Sequence, residues 1–329
     1  MKPPKFWRNA PGSPGWQARV LAPLGWLAAA ATARRVAKAP TYTAPIPVIC
    51  IGGAHLGGTG KTPTVIALAE RLKARGVKAH VVSRGYGGSA EGPLSVDPNR
   101  HSAEETGDEP LLIAAFAPVW VAKDRAAGVQ AAVKAGAEAV LLDDGFQNPS
   151  VFKTASVLVV DAADGFGNGR VAPAGPLREP PQRALKRADL LLTLGDGATQ
   201  DSFTSRYPAV STPRVMAEVR PLETGMDWRG MKVFAFAGIG NPAKFFATLQ
   251  KLGAELAGTV SLADHQPIGM KLLQRLAFEA NASGGEIVTT EKDAVRLPKA
   301  FQGRVLVLPV RLQPQDWAPI DALFDRLGL

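Results

Sequence analysis

Pro45-Ile46-Pro47-Val48-Ile49-Cys50-Ile51 is a short, continuous apolar run with β-branched residues, the pattern of a strand buried on both faces. It passes directly into Gly52-Gly53-Ala54-His55-Leu56-Gly57-Gly58-Thr59-Gly60-Lys61-Thr62. Beyond that loop Val65, Leu68, Ala69 and Leu72 share one helical face, and Gly76 closes the helix. Strand, glycine loop, Gly-Lys-Thr and helix in this order read as a P-loop. Glycines let backbone N–H groups turn inward toward phosphate oxygens with no Cβ in the way, and the helix N-terminus adds its dipole. The nucleotide-binding candidates are therefore His55, Leu56, Gly57, Gly58, Thr59, Gly60, Lys61 and Thr62. Lys61 supplies a mobile charge for the β/γ-phosphates and the Thr62 hydroxyl can ligate Mg²⁺. One departure is plain: the P-loop pattern has Gly five positions before Gly60, where this chain has His55. A lysine at the second position of the loop would mark the membrane-positioning ATPase variant; Leu56 stands there and disfavours that class.

A P-loop enzyme also needs a carboxylate at the end of a neighbouring strand. Ala139-Val140-Leu141-Leu142 ends in Asp143-Asp144-Gly145-Phe146-Gln147, and Val157-Leu158-Val159-Val160 ends in Asp161. The adjacent acids Asp143 and Asp144 are the better metal-site pair, and strand neighbours face opposite ways, so one of them points at the ion. Glu104-Glu105-Thr106-Gly107-Asp108-Glu109-Pro110 precedes a helix near Leu111 and by composition alone reads as a solvated, helix-capping acidic loop. Lys123-Asp124-Arg125 and Arg84-Gly85-Tyr86-Gly87-Gly88 follow further strands, so charged groups recur at consecutive strand–helix junctions.

The 329 residues are 46% apolar and 20% charged, which excludes global disorder; a lone cysteine, Cys50, excludes a disulfide scaffold and a Cys-based zinc cluster. The formal charge of +9 points to an anionic partner. No aromatic-interleaved basic patch or zinc motif supports a nucleic-acid partner, and no obligate protein partner is evident. The first forty residues differ from the rest. Trp7, Trp16 and Trp26 punctuate them, and the apolar run Val20 to Ala33 is flanked by Arg8, Arg19, Arg34, Arg35 and Lys38. As a helix that run spans roughly 21 Å, short of a hydrocarbon core of about 30 Å, and Pro23 and Gly25 weaken it further. It reads as a segment lying in the membrane interface with cationic ends toward anionic lipid.

Alternating strand and helix patterns predict an α/β fold: a P-loop NTPase-type, mainly parallel doubly wound sheet over 41–210, a smaller C-terminal α/β domain over 211–329, and an N-terminal membrane-associating helical segment over 1–40. The last strand of the first domain is Asp189 to Leu194. Arg214 to Val219, Val233 to Ala237, Glu286 to Thr290 and Arg304 to Leu308 are strands of the second. Gly238-Ile239-Gly240 reads as a tight turn rather than a dinucleotide fingerprint.

In order, Gly57-Gly58-Thr59-Gly60-Lys61-Thr62-Pro63, Ser83-Arg84-Gly85-Tyr86-Gly87, Gly107-Asp108-Glu109-Pro110, Asp143-Asp144-Gly145-Phe146-Gln147, Gly167-Asn168-Gly169, Pro173-Ala174-Gly175-Pro176-Leu177-Arg178-Glu179, Asp264-His265 and Thr289-Thr290-Glu291-Lys292-Asp293 make the chain resemble the tetraacyldisaccharide 4′-kinase (lipid A 4′-kinase) family along most of its length. The resemblance implies ATP-dependent phosphorylation of the 4′-hydroxyl of a tetraacylated, 1-phosphorylated glucosamine disaccharide, giving the 1,4′-bisphosphate lipid A precursor. It places the reaction at the cytoplasmic face of the inner membrane of Gram-negative bacteria, with ATP as co-substrate, Mg²⁺ as cofactor and the phospholipid surface as partner. It also implies roles: Asp108 as the base for the sugar hydroxyl with His265 as its partner; Lys61, Arg125 and Arg178 as cations at phosphate; Thr62, Glu109, Asp143, Asp144 and Glu179 around Mg²⁺. An aspartate with a pKa of about 4 is a weak base at pH 7, but a loose phosphoryl-transfer transition state demands little activation of the nucleophile. Asp108 lies in the first domain and His265 in the second, so their meeting requires a site in the cleft between them. The family often has His where Asn148 stands and Asn where Gly53 stands. The competing readings are a P-loop ligase or kinase for a soluble metabolite and a nucleotide-driven membrane switch.

Overall fold

The computed structural model describes residues 4–263 and 266–329. Thirteen strands run in chain order among them: β1 Val48–Gly52, β2 Ala79–Ser83, β3 Leu94–Ser95, β4 Val119–Val121, β5 Ala139–Asp143, β6 Ala155–Asp161, β7 Leu190–Leu194, β8 Arg214–Pro221, β9 Lys232–Ala237, β10 Glu255–Ser261, β11 Glu286–Thr290, β12 Leu306–Leu308 and β13 Val310–Pro314. Nine of these strands form one sheet in the order β13-β8-β7-β6-β1-β5-β2-β4-β3. Its interior is parallel, and only the edge strands β3 and β13 run antiparallel to their neighbours.

β1 lies between β5 and β6, with Ile51 opposite Asp143 and Gly52 opposite Leu158. All five of its residues are buried. Successive side chains alternate between two cores. Ile49 and Ile51 join Val65, Leu68 and Leu72 of the helix Lys61–Ala74, while Val48 and Cys50 join Phe146, Val160 and Phe203 on the opposite face. Burial pushes the Cys50 thiol up to about 11, so it is an inert core group rather than a nucleophile. The C-terminal helix Ala318–Arg326 returns to the first core through Ile320, Leu323 and Phe324. It is fastened there by Arg71, whose Nε and Nη2 donate to the Asp321 carboxylate at 2.9 and 2.5 Å.

The remaining strands form a parallel sheet in the order β10-β9-β11-β12, with Phe234 and Phe236 facing one core and Val233 and Ala235 the other. The half-exposed alternation expected of 214–219 is present in β8. That strand is not part of the second sheet, however: it pairs with β7 through Leu192–Val215 and Leu194–Ala217. The chain enters the small sheet at β9 and comes back to the large one at β13, which pairs with β8. Alternation reports which face is wet, and only hydrogen bonding reports which sheet is joined.

The N-terminal apolar run is helical over Ala22–Val36, preceded by the short helix Trp16–Val20. Pro23 does not weaken it, because it occupies the first turn, where its missing N–H has no intrahelical partner to lose. Gly25 is required by contact: a Cβ there would lie 2.8 Å from the Val171 carbonyl oxygen. Trp16, Val20, Leu24, Trp26 and Leu27 are all more than half exposed. No helix among the described residues is long and apolar enough to cross a membrane.

Candidate active site

The loop after β1 runs into the helix Lys61–Ala74 through Gly60, which has φ +82°. That left-handed backbone is what favours glycine here; the nearest neighbour of a Cβ at Gly60 would be the mobile end of the Leu194 side chain. Gly57 and Gly58 have open space where a side chain would stand. Thr59 and Thr62 are buried, and Thr59 Oγ1 has no hydrogen-bond partner.

His55 and Leu56 serve the loop differently from the sequence expectation. His55 is buried with Nε2 2.7 Å from the Gly165 carbonyl, and burial lowers its pKa, so the neutral ring donates to that oxygen. The Leu56 N–H donates to Pro176 O at 2.9 Å, and the Arg178 N–H donates to Ala54 O at 2.6 Å. Both His55 and Leu56 therefore fasten the 165–178 segment to the loop, and neither the imidazole nor that amide is turned to phosphate. The same segment continues into Pro180 and Pro181. There it lines an apolar cavity of about 620 Å³ under the helix Ala22–Val36, with Trp26, Phe166, Val171 and Tyr207 among its walls.

Asp143 and Asp144 end β5 beside β1. Asp144 is the sole non-glycine with positive φ among the described residues, at +50°, a sparsely populated conformation of the kind that clusters at functional sites. Arg125, the first residue of the helix Arg125–Lys134, holds that turn: its Nη2 donates to the Asp143 and Asp144 carbonyls at 3.2 and 2.8 Å. In this arrangement it braces the carboxylate turn rather than addressing phosphate. Asp144 receives both arms of Arg178 at 2.9 and 3.0 Å and lies 3.7 Å from Lys61 Nζ. Burial works to raise its pKa, but the charges of Lys61 and Arg178 outweigh that, and the carboxyl stays below its ordinary value. Asp143 is the opposite case. Burial first, then the charges of Glu109 and Asp144, push it up to about 7. Ser83 Oγ donates to its Oδ2 at 3.0 Å, while Oδ1 is buried with no hydrogen-bond partner.

Among the described residues no three His, Cys, Asp or Glu side chains gather as a metal cluster. The expected set therefore divides. Glu179 is buried with both oxygens engaged by Arg187 Nη2 at 2.5 and 2.6 Å, and Gln147 Nε2 donates to Oε1 at 2.9 Å. It is neutralised by the chain itself. Glu109 pairs with Lys292 at 3.2 Å. Asp143 and Thr62 are left as the pair fitting Mg²⁺: a cation would satisfy the orphaned Oδ1 and hold the carboxyl ionised, and a P-loop ion takes most of its other oxygens from phosphate and water.

Asp108 is no solvated cap. It is 3% exposed at the start of the short helix Asp108–Ile113, with Oδ1 accepting from the Glu109 N–H at 3.0 Å. Lys292 Nζ and Arg296 Nε stand 3.9 and 3.8 Å from its Oδ2. Asp264 and His265 lie outside the described residues. Sequence reasoning gave no role to Gln147, Arg187, Lys292 or Arg296. Gln147 and Lys292 sit inside quoted motifs, while Arg187 and Arg296 carry no local signal and are found by contact alone.

A glycine loop opening a helix, a Lys and Thr at its start and acids ending the adjacent strand define a P-loop phosphotransferase. The family model for LpxK, tetraacyldisaccharide-1-P 4′-kinase, matches residues 17–327. A tetraacyldisaccharide 4′-kinase of Dinoroseobacter shibae is 60% identical, covering 99% of this chain and 98% of that protein. One of Jannaschia sp. is 52% identical over 99% of each. The fold is similar to the crystal structure of the "apo" form of LpxK from Aquifex aeolicus in complex with ATP, with TM-score 0.74 and 26% identity over 95% of this chain and 99% of that one. The chain belongs to the tetraacyldisaccharide 4′-kinase family.

Proposed function

We propose that the protein transfers the γ-phosphoryl group of ATP to the 4′-hydroxyl of a tetraacylated glucosamine disaccharide 1-phosphate, giving the 1,4′-bisphosphate. The observation that carries this reading is the end-to-end family match on a chain whose P-loop, Asp143 and Asp144 meet at one end of the large sheet. Lys61 Nζ lies 3.7 Å from Asp144 Oδ1. Arg178 already saturates that carboxylate bidentately, so Lys61 can leave for the β/γ-phosphates without stranding a buried charge. Thr62 and Asp143 would hold Mg²⁺, which when bound neutralises charge on the phosphate oxygens. Asp108 takes the sugar hydroxyl proton, with His265 as its partner.

The substrate's acyl chains belong in a bilayer, and the exposed Trp16, Val20, Leu24, Trp26 and Leu27 form the surface that meets it. Arg19, Arg34 and Arg35 in the last turns of the two helices supply charge toward anionic headgroups. These features support a peripheral position for the protein on the cytoplasmic face of the inner membrane. The test is incubation with labelled ATP, Mg²⁺ and the tetraacyl disaccharide 1-phosphate in mixed micelles. A monophosphate-to-bisphosphate shift whose rate follows the surface concentration of substrate is expected. Folded protein that holds ATP yet leaves the glycolipid unconverted overturns the reading.

A further inference from the structure

Asp108 is buried, and its Oδ2 has two cations from the small-sheet side, Lys292 and Arg296, within 4 Å. Strand β11 ends at Thr290 and the helix Glu291–Ala294 follows, packed against the helix Asp108–Ile113. Glu291 anchors this unit to the large sheet: Arg311 Nη1 donates to its carboxylate at 3.0 and 2.9 Å, and Val310 N donates to Oε2 at 3.0 Å. Lys292 then projects to Glu109 and Asp108, and Arg296, one turn later, projects to Asp108.

Arg296 is held in place from behind. Its Nη2 pairs with Asp293 and donates to Gly238 O at 3.2 Å, and its Nη1 donates to Gln266 O at 2.9 Å. Asp293 is itself fully buried, accepting from Gly238 N at 3.1 Å and from Thr290 Oγ1 at 2.7 Å. Every arm of the guanidinium except Nε is thus committed to the small sheet. Nε is buried without a hydrogen-bond partner, and it is the atom turned to Asp108, 3.8 Å from Oδ2. Moving the two sheets together by about 1 Å would convert that ion pair into a charge-assisted hydrogen bond.

We infer that Arg296, seconded by Lys292, is a positioning residue for Asp108: the small sheet supplies the cations that orient the buried carboxylate toward the acceptor hydroxyl. Lysine cannot replace Arg296, because a single ammonium has no second arm to rest on Asp293 while reaching Asp108.

This inference rests on Asp108 being the proton acceptor, and a double-mutant cycle separates the two. Kinetics with the labelled-ATP assay and equilibrium ATP binding are measured for Arg296→Lys, Arg296→Ala, Lys292→Met, Asp108→Asn and the Asp108→Asn/Arg296→Lys pair. Both Arg296 variants should lower kcat by about 10- to 100-fold, and Lys292→Met by less, with KM for ATP and ATP affinity within about twofold of the parent. In the Asp108→Asn background the Arg296→Lys change should cost less than about threefold more, because its partner is already gone. Full multiplicative loss in both backgrounds, or an unchanged kcat in Arg296→Lys, overturns the inference. Near-parental activity of Asp108→Asn instead overturns the base assignment on which it stands. Should Arg296→Ala fail to fold, Arg296→Lys, which retains charge and bulk, and the partly exposed Lys292 carry the result.

Discussion

The two sheets are built from the same parts and do different work. In the large sheet the strands that bear the site are central and wholly buried: β1, β2 and β5 expose none of their residues. Their carboxyl ends deliver the phosphate loop, Ser83 and the Asp143–Asp144 turn to one place, at the position in a doubly wound sheet where ligands bind. In the small sheet β10 alternates between exposed and half-buried residues along its whole length. What its companion strands deliver at their carboxyl ends is a buried Asp293–Arg296 pair facing Asp108 across the gap. The large sheet thus carries the phosphate loop and the Asp143–Asp144 turn, and the small sheet adds cations near Asp108. The comparison predicts that the cations of the small sheet can be altered with ATP binding retained, whereas the large sheet serves both binding and transfer.

The sharpest break of that division is Lys61→Ala. It should reduce transfer by about a thousandfold or more, as expected when charge on the moving phosphoryl group goes unstabilised, and assays with labelled ATP would read it. Near-parental rates would remove the P-loop from the mechanism. Asp293→Ala probes the other half. Stripping the partner from buried Arg296 should cost about 3 kcal/mol locally. Hydrogen exchange should then rise in β9 and β11 but not in β1 or the helix Lys61–Ala74, with ATP affinity retained. Equal loosening of both halves would show that they do not fold as separate units.

The smallest effect concerns Asp143. Its folded pKa of about 7 lies above the ordinary carboxylate value, so the nucleotide-free fold binds a proton that the unfolded chain has released. Stability from that proton is present at low pH and lost as pH rises through about 7. Asp143→Asn should accordingly melt higher than the parent at pH 8, by a gap that narrows toward pH 5. A gap independent of pH, read by thermal scans of nucleotide-free protein, would refute the assignment.

Much of the large sheet was legible because its signals are local. A run of β-branched residues ending in Gly-rich sequence and Gly60-Lys61-Thr62 can be only a few structures, and paired acids closing an apolar run mark a strand end. The contacts that were not legible share one cause. His55 is turned to Gly165, Arg125 to the carbonyls of Asp143 and Asp144, and Glu179 to Arg187. Each partner is remote in sequence or reached through a fold contact, and residue type alone does not say whether a cation meets a phosphate or a carbonyl. β8 was read correctly as a half-exposed strand and assigned to the wrong sheet for the same reason.

By itself the amino-acid order determined the phosphate loop, the parallel α/β class and the family, because backbone geometry at glycine and the periodicity of burial are written in neighbouring residues. Tertiary structure alone decided which carboxylates remain open to a cation, which are already answered by arginine, and that the small sheet reaches Asp108. Those outcomes depend on distances of a few ångströms between segments up to nearly two hundred residues apart, where Coulomb energy and desolvation are settled by packing.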